Sequence, residues 1–220
     1  MKPLLLTAGA TRNRVDAIRY LSAFAGGQTA LALVAALPDA PTHVLGSAEA
    51  VLRMKLAEAE RKLSNRPPKD ISTEEFTGTR DLMGRMEQWI RTHPYGVVVH
   101  SAAVGDYEAE PNASKIPSGQ AEITIRLRPG PKIVDHVREW APECRLVSFK
   151  AGRPGLNPAE LEQIARGQLM RTESDLVFAN VLGEIETSVL LVERTRCRAF
   201  SRRAEAIAAL AQTLAAWLRE

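Results

Sequence analysis

The sequence of 220 residues predicts an α/β fold: a doubly wound, mostly parallel sheet with helices on both faces. Two observations carry this prediction. Short apolar segments, typical of buried strands, alternate along the chain with longer segments of helical periodicity. Several apolar segments also end in glycine, alanine or asparagine, as expected where parallel strands meet a ligand crevice at their carboxyl ends.

The first half of the chain contains three of the predicted strands. The segment "LLL" near the N-terminus is a short buried strand that runs into the turn "TAGATR". A helix follows Gly27 and ends at Pro38, because proline cannot continue a helix. "THVLGS" predicts the second strand, and the charged segment behind it reaches a loop at Pro67. The amphipathic helix "TRDLMGRMEQWIRTH" then leads into a strand from Gly96 to His100.

The second half begins with a polar excursion. "EAEPNASKIPSGQ" is rich in proline, glycine and serine, and "AEITIRLRP" alternates as a half-exposed strand should, so residues 108–128 predict a small antiparallel flap. "PKIVDHVREWA" predicts a helix, "RLVSFKA" a strand, and "NPAELEQIARGQLMRT" a helix capped by Asn157 with Pro158 first. The strands "SDLVFANV" and "TSVLLVER" and an amphipathic closing helix complete a Rossmann-like sheet, expected to form one domain of residues 1–220.

Composition narrows the possible functions. The net charge is +3 without any block of lysine and arginine, which argues against a nucleic-acid partner. Cys144 and Cys197 are too few for a disulfide framework, and the four histidines lack zinc-site spacing, so we expect no metal held by protein ligands alone. No apolar run approaches membrane-spanning length, and the start of the chain is a strand rather than a signal peptide. We therefore expect a cytoplasmic protein without a membrane partner.

Four strand ends carry residues that packing alone does not require: "TAGAT", "SAAVGD", "SFKAG" and "FAN". Gly9 after the first strand, and Gly26-Gly27 before the first helix, let main-chain N–H groups approach an anion. This signal is weak on its own. "AGAT" is neither GxGxxG nor a Walker A motif, and glycines after a first strand are more often simple turn residues.

Four further residues strengthen the interpretation when they are taken together. Individually, Asp106 could cap a turn, Lys115 could be a solvated surface lysine, Phe149 a core ring and Asn180 a turn former. Together they supply a carboxylate, a mobile cation, a stacking ring and an amide around a glycine-lined opening. That combination has the chemistry of a nucleotide site.

The segments "LLLTAGATRNRVDAIRYL", "HSAAVGDY", "SKIPSG", "PKIVDHVREWAP", "LVSFKAG" and "SDLVFANVL" occur in the order and spacing of one family. The sequence resembles phosphopantothenate–cysteine ligase (phosphopantothenoylcysteine synthetase), and most closely its monofunctional form. The resemblance implies a ligase of coenzyme A biosynthesis, in which a nucleoside triphosphate activates the carboxylate of 4′-phosphopantothenate as an acyl nucleotidylate and the amine of cysteine then forms the amide. It also implies Mg²⁺ and either CTP or ATP, between which the sequence does not decide.

The resemblance assigns nucleotide contacts to four residues of this sequence. Gly9 and Gly27 correspond to the glycines near the phosphates and ribose. Phe149 and Asn180 correspond to residues that contact the base and the ribose.

It assigns the other substrate and the chemistry to a second set. Ala102 and Ala103 are the small residues against which phosphopantothenate lies, with Asp106 as its polar anchor. Lys115 matches the flap lysine that steadies the activated intermediate, so Lys115 and Asp106 are the expected catalytic residues. Arg19 matches an arginine that reaches the substrate phosphate across a dimer interface, and the exposed edge of "AEITIRL" gives a second reason to expect a homodimer.

The sequence departs from the family pattern before the first helix. Ala23 stands where the family has asparagine, and Ala25 where it has serine, so a hydrogen-bond donor for the acyl nucleotidylate is missing. Either Ser22 or the backbone of Gly26-Gly27 takes over the role, or the protein is a diverged nucleotide- or pantothenate-binding homologue without ligase activity. A Rossmann-type dinucleotide reductase is disfavoured because no GxGxxG motif is present.

Overall fold

All 220 residues, Met1–Glu220, are described by a computed structural model with twelve strands and six α-helices. The strands are β1 (Leu4–Ala8), β2 (Arg12–Arg14), β3 (Tyr20–Ser22), β4 (Thr42–Gly46), β5 (Ile71–Glu75), β6 (Val97–His100), β7 (Tyr107–Ala109), β8 (Leu127–Pro129), β9 (Arg145–Gly152), β10 (Leu176–Val181), β11 (Val189–Glu193) and β12 (Cys197–Phe200). The helices are α1 (Gln28–Ala36), α2 (Ala48–Leu63), α3 (Thr79–Thr92), α4 (Val137–Trp140), α5 (Pro158–Thr172) and α6 (Arg203–Trp217). No helix is long and apolar enough to cross a bilayer.

The main sheet has eight strands in the order β12-β11-β10-β9-β6-β1-β4-β5. The six strands from β10 to β5 run parallel, and β11 and β12 add an antiparallel edge. From β1 the chain proceeds outwards through β4 to β5, and then returns to the other side of β1 through β6, β9 and β10. The predicted doubly wound, mostly parallel Rossmann-like sheet is therefore confirmed. Its strand order reverses between β1 and β6, which is where such sheets bind ligands.

Helices cover both faces of the sheet, which explains why the central strands are apolar throughout. Leu4 and Leu6 of β1 point to one face and pack in a cluster of 24 buried residues with α1 and α6. Leu5 points to the opposite face and packs in a cluster of 13 buried residues with α3 and α4. A strand that is buried on both faces has no position for a polar side chain, so "LLL" and "VVV" carry none.

The capped helix predicted after Asn157 is confirmed as α5. The Asn157 side chain accepts a hydrogen bond from the Glu160 N–H at 3.0 Å, and the Glu160 carboxylate accepts one from the Asn157 N–H at 2.9 Å. This reciprocal pair satisfies two main-chain donors that a helix start leaves open. The helix predicted over 131–141 is only partly regular, because a 3₁₀ turn at Ile133–His136 precedes the short α4.

The strand predicted over "AEITIRLRP" is wrong for most of its length. Only β8 is formed, and it pairs with β7 at the base of the small antiparallel flap, whereas residues 121–126 are neither helix nor strand. Every side chain of residues 121–129 is exposed, apolar and polar alike. Alternation produces a strand only where a neighbour accepts its hydrogen bonds and one face is buried, and neither condition holds here. The edge strand from which we argued dimerisation is therefore absent.

Candidate functional site

Thr7 joins the end of β1 to the loop that follows β6. Its hydroxyl accepts a hydrogen bond from the Ala102 N–H at 3.0 Å and lies 3.0 Å from Nδ1 of His100, while its carbonyl accepts one from the Ser101 hydroxyl at 2.6 Å. A hydroxyl can accept two hydrogen bonds and donate one, so the Thr7 hydroxyl can bond Ala102 and His100 at the same time with either tautomer of the ring. Burial lowers the pKa of His100 to about 4, so the ring is neutral at physiological pH.

The loops after β1 and β6 stay hydrogen-bonded beyond the ends of their strands. The Ala103 N–H donates to the Gly9 carbonyl at 2.8 Å, and the Thr11 N–H donates to the Ala103 carbonyl at 3.1 Å. The Thr11 hydroxyl then accepts from the Gly105 N–H at 2.9 Å. We call residues 7–11 and 100–105 the seam. It fixes the predicted substrate residues Ala102 and Ala103 by their backbone at the carboxyl ends of β1 and β6.

An open cavity of about 640 Å³ adjoins the seam. Gly9 and Ser101 line it from the strand ends, and Gly27 and Thr29 line it from the start of α1. The predicted nucleotide glycines therefore share one cavity. No side chain caps α1 and its first turn has no acidic residue, so the start of this helix presents main-chain N–H groups to the cavity, which Glu49 and Glu186 also line.

Both glycines are also required by the backbone. Gly9 has φ +83°, and a Cβ there would lie 2.1 Å from Oγ of Ser47. Gly27 has φ +85°, and its Cβ would lie 2.7 Å from Cβ of Ala50. Each glycine is therefore needed for a left-handed turn that packs on α2. The same turns keep the cavity open, so a role in the turn and a role in binding a ligand are compatible.

Phe149 and Asn180 are not among the residues that line this cavity. Phe149 is half-buried in β9, where its ring stacks on that of Phe178 with the centroids 4.8 Å apart. Asn180 lies near the end of β10 and is only 9% exposed, yet no hydrogen bond of its side-chain amide is formed within the protein. The two residues lie on the adjoining strands β9 and β10.

Asp106 and Lys115 are not brought together. Asp106 follows the seam and forms an ion pair with Lys132 across the base of the flap, with both side chains more than half exposed. Lys115 lies exposed in the flap and forms no ion pair. The structure thus adds a second cation, Lys132, beside the predicted carboxylate.

A buried carboxylate that the sequence analysis missed anchors the flap. Asp16 accepts hydrogen bonds from the N–H groups of Ile18 and Arg19 at 2.9 and 2.8 Å, and from the Ile116 N–H at 3.0 Å. The Arg19 guanidinium lies 3.0 Å from the same carboxylate and donates to the Ile116 carbonyl at 3.4 Å. The Ile116 N–H is the largest cause that lowers the pKa of Asp16. Asp16 therefore holds Arg19 next to the residue that follows Lys115.

A smaller cavity of about 330 Å³ surrounds the position where the family asparagine is missing. Ala23, Ser22 and Arg12 line it. The Ser22 hydroxyl donates to the Ala23 carbonyl at 3.2 Å, so it is already engaged. The Arg12 guanidinium lies 5.0 Å from the centroid of the Tyr20 ring and has no carboxylate partner. The cation in this cavity is therefore Arg12, a residue that the sequence analysis did not single out.

Comparison with known proteins identifies the family. The model of the DNA/pantothenate metabolism flavoprotein C-terminal domain matches residues 1–215. The chain belongs to this family.

The "Coenzyme A biosynthesis bifunctional protein CoaBC" of Thermococcus kodakarensis is 36% identical over 197 residues, which are 88% of this chain and 45% of the relative. The protein of the same description from Methanocaldococcus jannaschii is 22% identical over 181 residues, 82% of this chain and 41% of the relative. The chain therefore spans less than half the length of these curated relatives.

Solved structures of related proteins have the same fold. The DNA/pantothenate metabolism flavoprotein from Streptococcus pneumoniae superposes with a TM-score of 0.83 at 22% identity, over 99% of this chain and 100% of the other. A mutant of Cab2 in complex with phosphopantothenate-cysteine superposes with a TM-score of 0.74 at 16% identity, over 99% of this chain and 88% of the other. These likenesses confirm the predicted Rossmann-like α/β architecture.

The neutral state of His100 predicts a pH-dependent stability. The folded pKa of about 4 lies below the usual 6.5, so between these values the unfolded chain binds a proton that the folded chain does not. The free energy of unfolding should fall by about 2 kcal/mol between pH 7 and pH 5 through this residue alone. We expect urea denaturation to show that loss in the wild type and in the exposed control His136→Gln, and not in His100→Gln. An equal pH dependence in all three proteins would contradict the assignment.

The contacts of Asp16 predict that Asp16→Ala releases the flap. Amide hydrogen exchange at Ile116 should accelerate at least about tenfold, because its N–H loses a buried acceptor. The control is Asp39→Ala, which removes a carboxylate that accepts the Asp70 N–H at 2.9 Å in a different loop. Exchange at Ile116 that is as slow in Asp16→Ala as in the control would mean that other contacts hold the flap.

Proposed function

We propose that this chain joins 4′-phosphopantothenate to cysteine at the expense of a nucleoside triphosphate, as a carboxylate–amine ligase of coenzyme A biosynthesis. The observation that carries the proposal is membership of the family over residues 1–215. Two names support it: the relative at 36% identity is described as a coenzyme A biosynthesis protein, and Cab2 binds phosphopantothenate-cysteine. The reaction would take place in the cytoplasm, the compartment that supplies the nucleotide.

The reaction consists of two displacements. A carboxylate oxygen of phosphopantothenate attacks the α-phosphorus of the nucleotide, and pyrophosphate leaves with the electrons of the broken P–O bond. The nitrogen of cysteine then attacks the acyl carbon and loses a proton, and the nucleoside monophosphate leaves. Both steps bring anions together, so the site must supply fixed positive charge and hydrogen-bond donors.

The cavity beside the seam suits the phosphates of the nucleotide. Gly9 and Gly27 remove side chains from its wall, and the uncapped start of α1 presents N–H groups and a positive dipole. The neighbouring Phe149 and Asn180 would then contact the base and ribose, and the free amide of Asn180 is available to hydroxyl groups. Both CTP and ATP have the phosphate chain on which this fit rests.

Magnesium fits the same cavity in combination with the substrate. No group of three or more histidine, cysteine, aspartate or glutamate side chains could hold a metal by itself. Mg²⁺ is commonly bound through one or two carboxylates and substrate phosphates, and Glu49 and Glu186 line the cavity. Bound there, the ion would neutralise charge on the phosphate chain.

The seam and the flap suit phosphopantothenate. Ala102 and Ala103 offer a smooth wall held by backbone hydrogen bonds, and Asp106 lies at its end. Lys115 would move with the flap to the activated carboxyl group. Arg19 is held next to the flap, where it would bind the phosphate of a substrate in the same or a neighbouring subunit. These roles fit a carboxylate flanked by cations, the arrangement that anionic substrates require.

A homodimer is proposed on new grounds, since the edge strand is absent. Large apolar side chains are exposed on the β2–β3 hairpin and on the flap, among them Ile18 at 62% and Tyr107 at 56%. The hydrogen bond from the Asn112 N–H to the Val15 carbonyl joins the two elements into one surface. Exposed apolar side chains on two joined elements would suit an interface between subunits.

The first prediction concerns activity. Pyrophosphate should be released only when nucleotide and phosphopantothenate are both present, and the amide only when cysteine is added. Lys115→Ala and Asp106→Asn should lower amide formation by at least about 100-fold with unchanged melting temperature, because neither side chain packs in the core. Lys55→Ala, on the exposed face of α2, is the control and should keep full activity. A wild type that binds nucleotide without releasing pyrophosphate would favour the diverged binding protein.

The second prediction concerns the missing asparagine. If Arg12 supplies the donor in its place, Arg12→Met should slow the pyrophosphate burst by about 100-fold, and adding Ala23→Asn to that variant should restore at least about tenfold. Arg14→Met removes a neighbouring exposed arginine and should leave the burst unchanged. A normal burst in Arg12→Met, or no recovery in the double variant, would show that the backbone of Gly26-Gly27 or Ser22 carries the role.

A further inference from the structure

The last helix contributes a cation to the nucleotide cavity. Arg203 is the first residue of α6, and its side chain reaches across to the start of α1. Nη2 donates to the Thr29 hydroxyl at 2.7 Å, Nη1 donates to the Ile185 carbonyl at 3.2 Å, and the guanidinium lies 5.1 Å from the centroid of the Phe178 ring. These contacts hold the group in one orientation at the wall of the cavity of about 640 Å³.

This guanidinium is partly removed from water, and no carboxylate oxygen lies within 4.0 Å of it. Burial lowers the pKa of Arg203, and the charge of Glu186, beyond ion-pair distance, offsets that effect only in part. Of the five N–H donors of a guanidinium, two are used by Thr29 and Ile185. A cation in such a position is stabilised by an anion that occupies the remaining donors.

The surroundings favour an anion in front of Arg203 rather than an internal salt bridge. Glu49 lines the same cavity but is engaged by Arg53 at 2.8 Å. Glu186 also lines it, and its charge acts on Arg203, but its carboxylate forms no ion pair with the guanidinium; the direct contact is the Arg203 N–H, which donates to the Glu186 carbonyl at 2.8 Å. The uncapped start of α1 at Gly27 adds a second positive source on the same wall.

The location of Arg203 indicates which phosphates of the nucleotide it would contact. Gly9 and Ser101 line the cavity from the seam, where the carboxylate substrate would lie, and Ile185 and Arg203 line it from outside the seam. In the proposed reaction the α-phosphate must meet that carboxylate, so the β- and γ-phosphates extend away from the seam.

We propose that Arg203 binds the β- and γ-phosphates of the nucleoside triphosphate and stabilises pyrophosphate as it leaves. This inference rests on the proposed function and assigns to that site a residue from the opposite end of the sequence. Its contacts to Thr29 and Ile185 orient the guanidinium, and its remaining N–H groups face the leaving group.

The test measures affinity along a phosphate series. Titration calorimetry with nucleoside mono-, di- and triphosphates and with inorganic pyrophosphate is carried out on the wild type, Arg203→Met and Arg203→Lys. Methionine keeps apolar contact with Phe178. Lysine keeps the positive charge but lacks the planar set of N–H donors of the guanidinium. The matched control is Arg202→Met, which removes an exposed arginine that pairs with Glu205.

The wild type should bind more tightly with each added phosphate. Arg203→Met should lose at least about tenfold in affinity for the triphosphate and for pyrophosphate, with little change for the monophosphate, and Arg203→Lys should fall in between. A structural role alone would lower all affinities by one common factor, so that outcome, or an unchanged phosphate series in Arg203→Met, overturns this inference. A wild type that binds no nucleotide would overturn the proposed function and this inference with it.

Discussion

The hydroxyl of Thr7 connects the two halves of the sheet at the point where the strand order reverses. One half extends from β1 to β5 and the other from β6 to β10, and Thr7 bonds the Ala102 N–H and the His100 ring across their boundary. His100 is neutral in that arrangement because burial lowers its pKa to about 4. The Ser101 hydroxyl adds a third bond to the Thr7 carbonyl. The backbone of residues 101–103, and with it the shape of the crevice at the seam, depends on these hydrogen bonds of Thr7.

The positions of the positive side chains matter more for binding anions than the net charge of the chain. A net charge of +3 is small, so affinity for the two anionic substrates of the proposed reaction would come from where the positive groups lie rather than from their number. Arg12 and Arg203 line the two cavities on either side of the first loop, and neither has a carboxylate partner. Most other arginines near the surface form ion pairs, such as Arg53 with Glu49. A guanidinium that both lines a cavity and lacks an ion pair, as Arg12 and Arg203 do, is where the proposed reaction would place substrate charge.

Sequence reasoning captured the parts of the structure that local patterns determine. Buried strands such as "LLL" and the capped helix after Asn157 follow from apolar periodicity and from cap residues, and both are confirmed. The edge strand β5 was missed because its sequence "ISTEE" is polar, as a strand with one exposed edge can be. The alternation of residues 121–126 misled for the opposite reason, since the pattern was present without a partner strand.

The residues of the candidate site also fall into two groups: those that the sequence could reveal and those that only the structure brings together. Gly9 and the two alanines could be found because they follow strands directly along the chain, and Gly27 because it directly precedes the first helix. Arg203 could not, since 174 residues separate it from Thr29, which it contacts. Asp16 was visible in principle, because an aspartate followed by a turn often accepts the N–H groups two and three residues on. Its contact with Ile116, 100 residues away, needed the structure.

The central claim is that a carboxylate becomes bonded to the nucleotide in the crevice at the seam, and the fate of one carboxylate oxygen tests it most directly. Phosphopantothenate with oxygen-18 in its carboxyl group is turned over with nucleoside triphosphate and cysteine, and the products are examined by mass spectrometry. Attack of the carboxylate on the α-phosphorus leaves one labelled oxygen in the nucleoside monophosphate and none in pyrophosphate. Label found in inorganic phosphate would mean activation through an acyl phosphate, and label absent from every phosphate product would contradict activation of the carboxylate altogether.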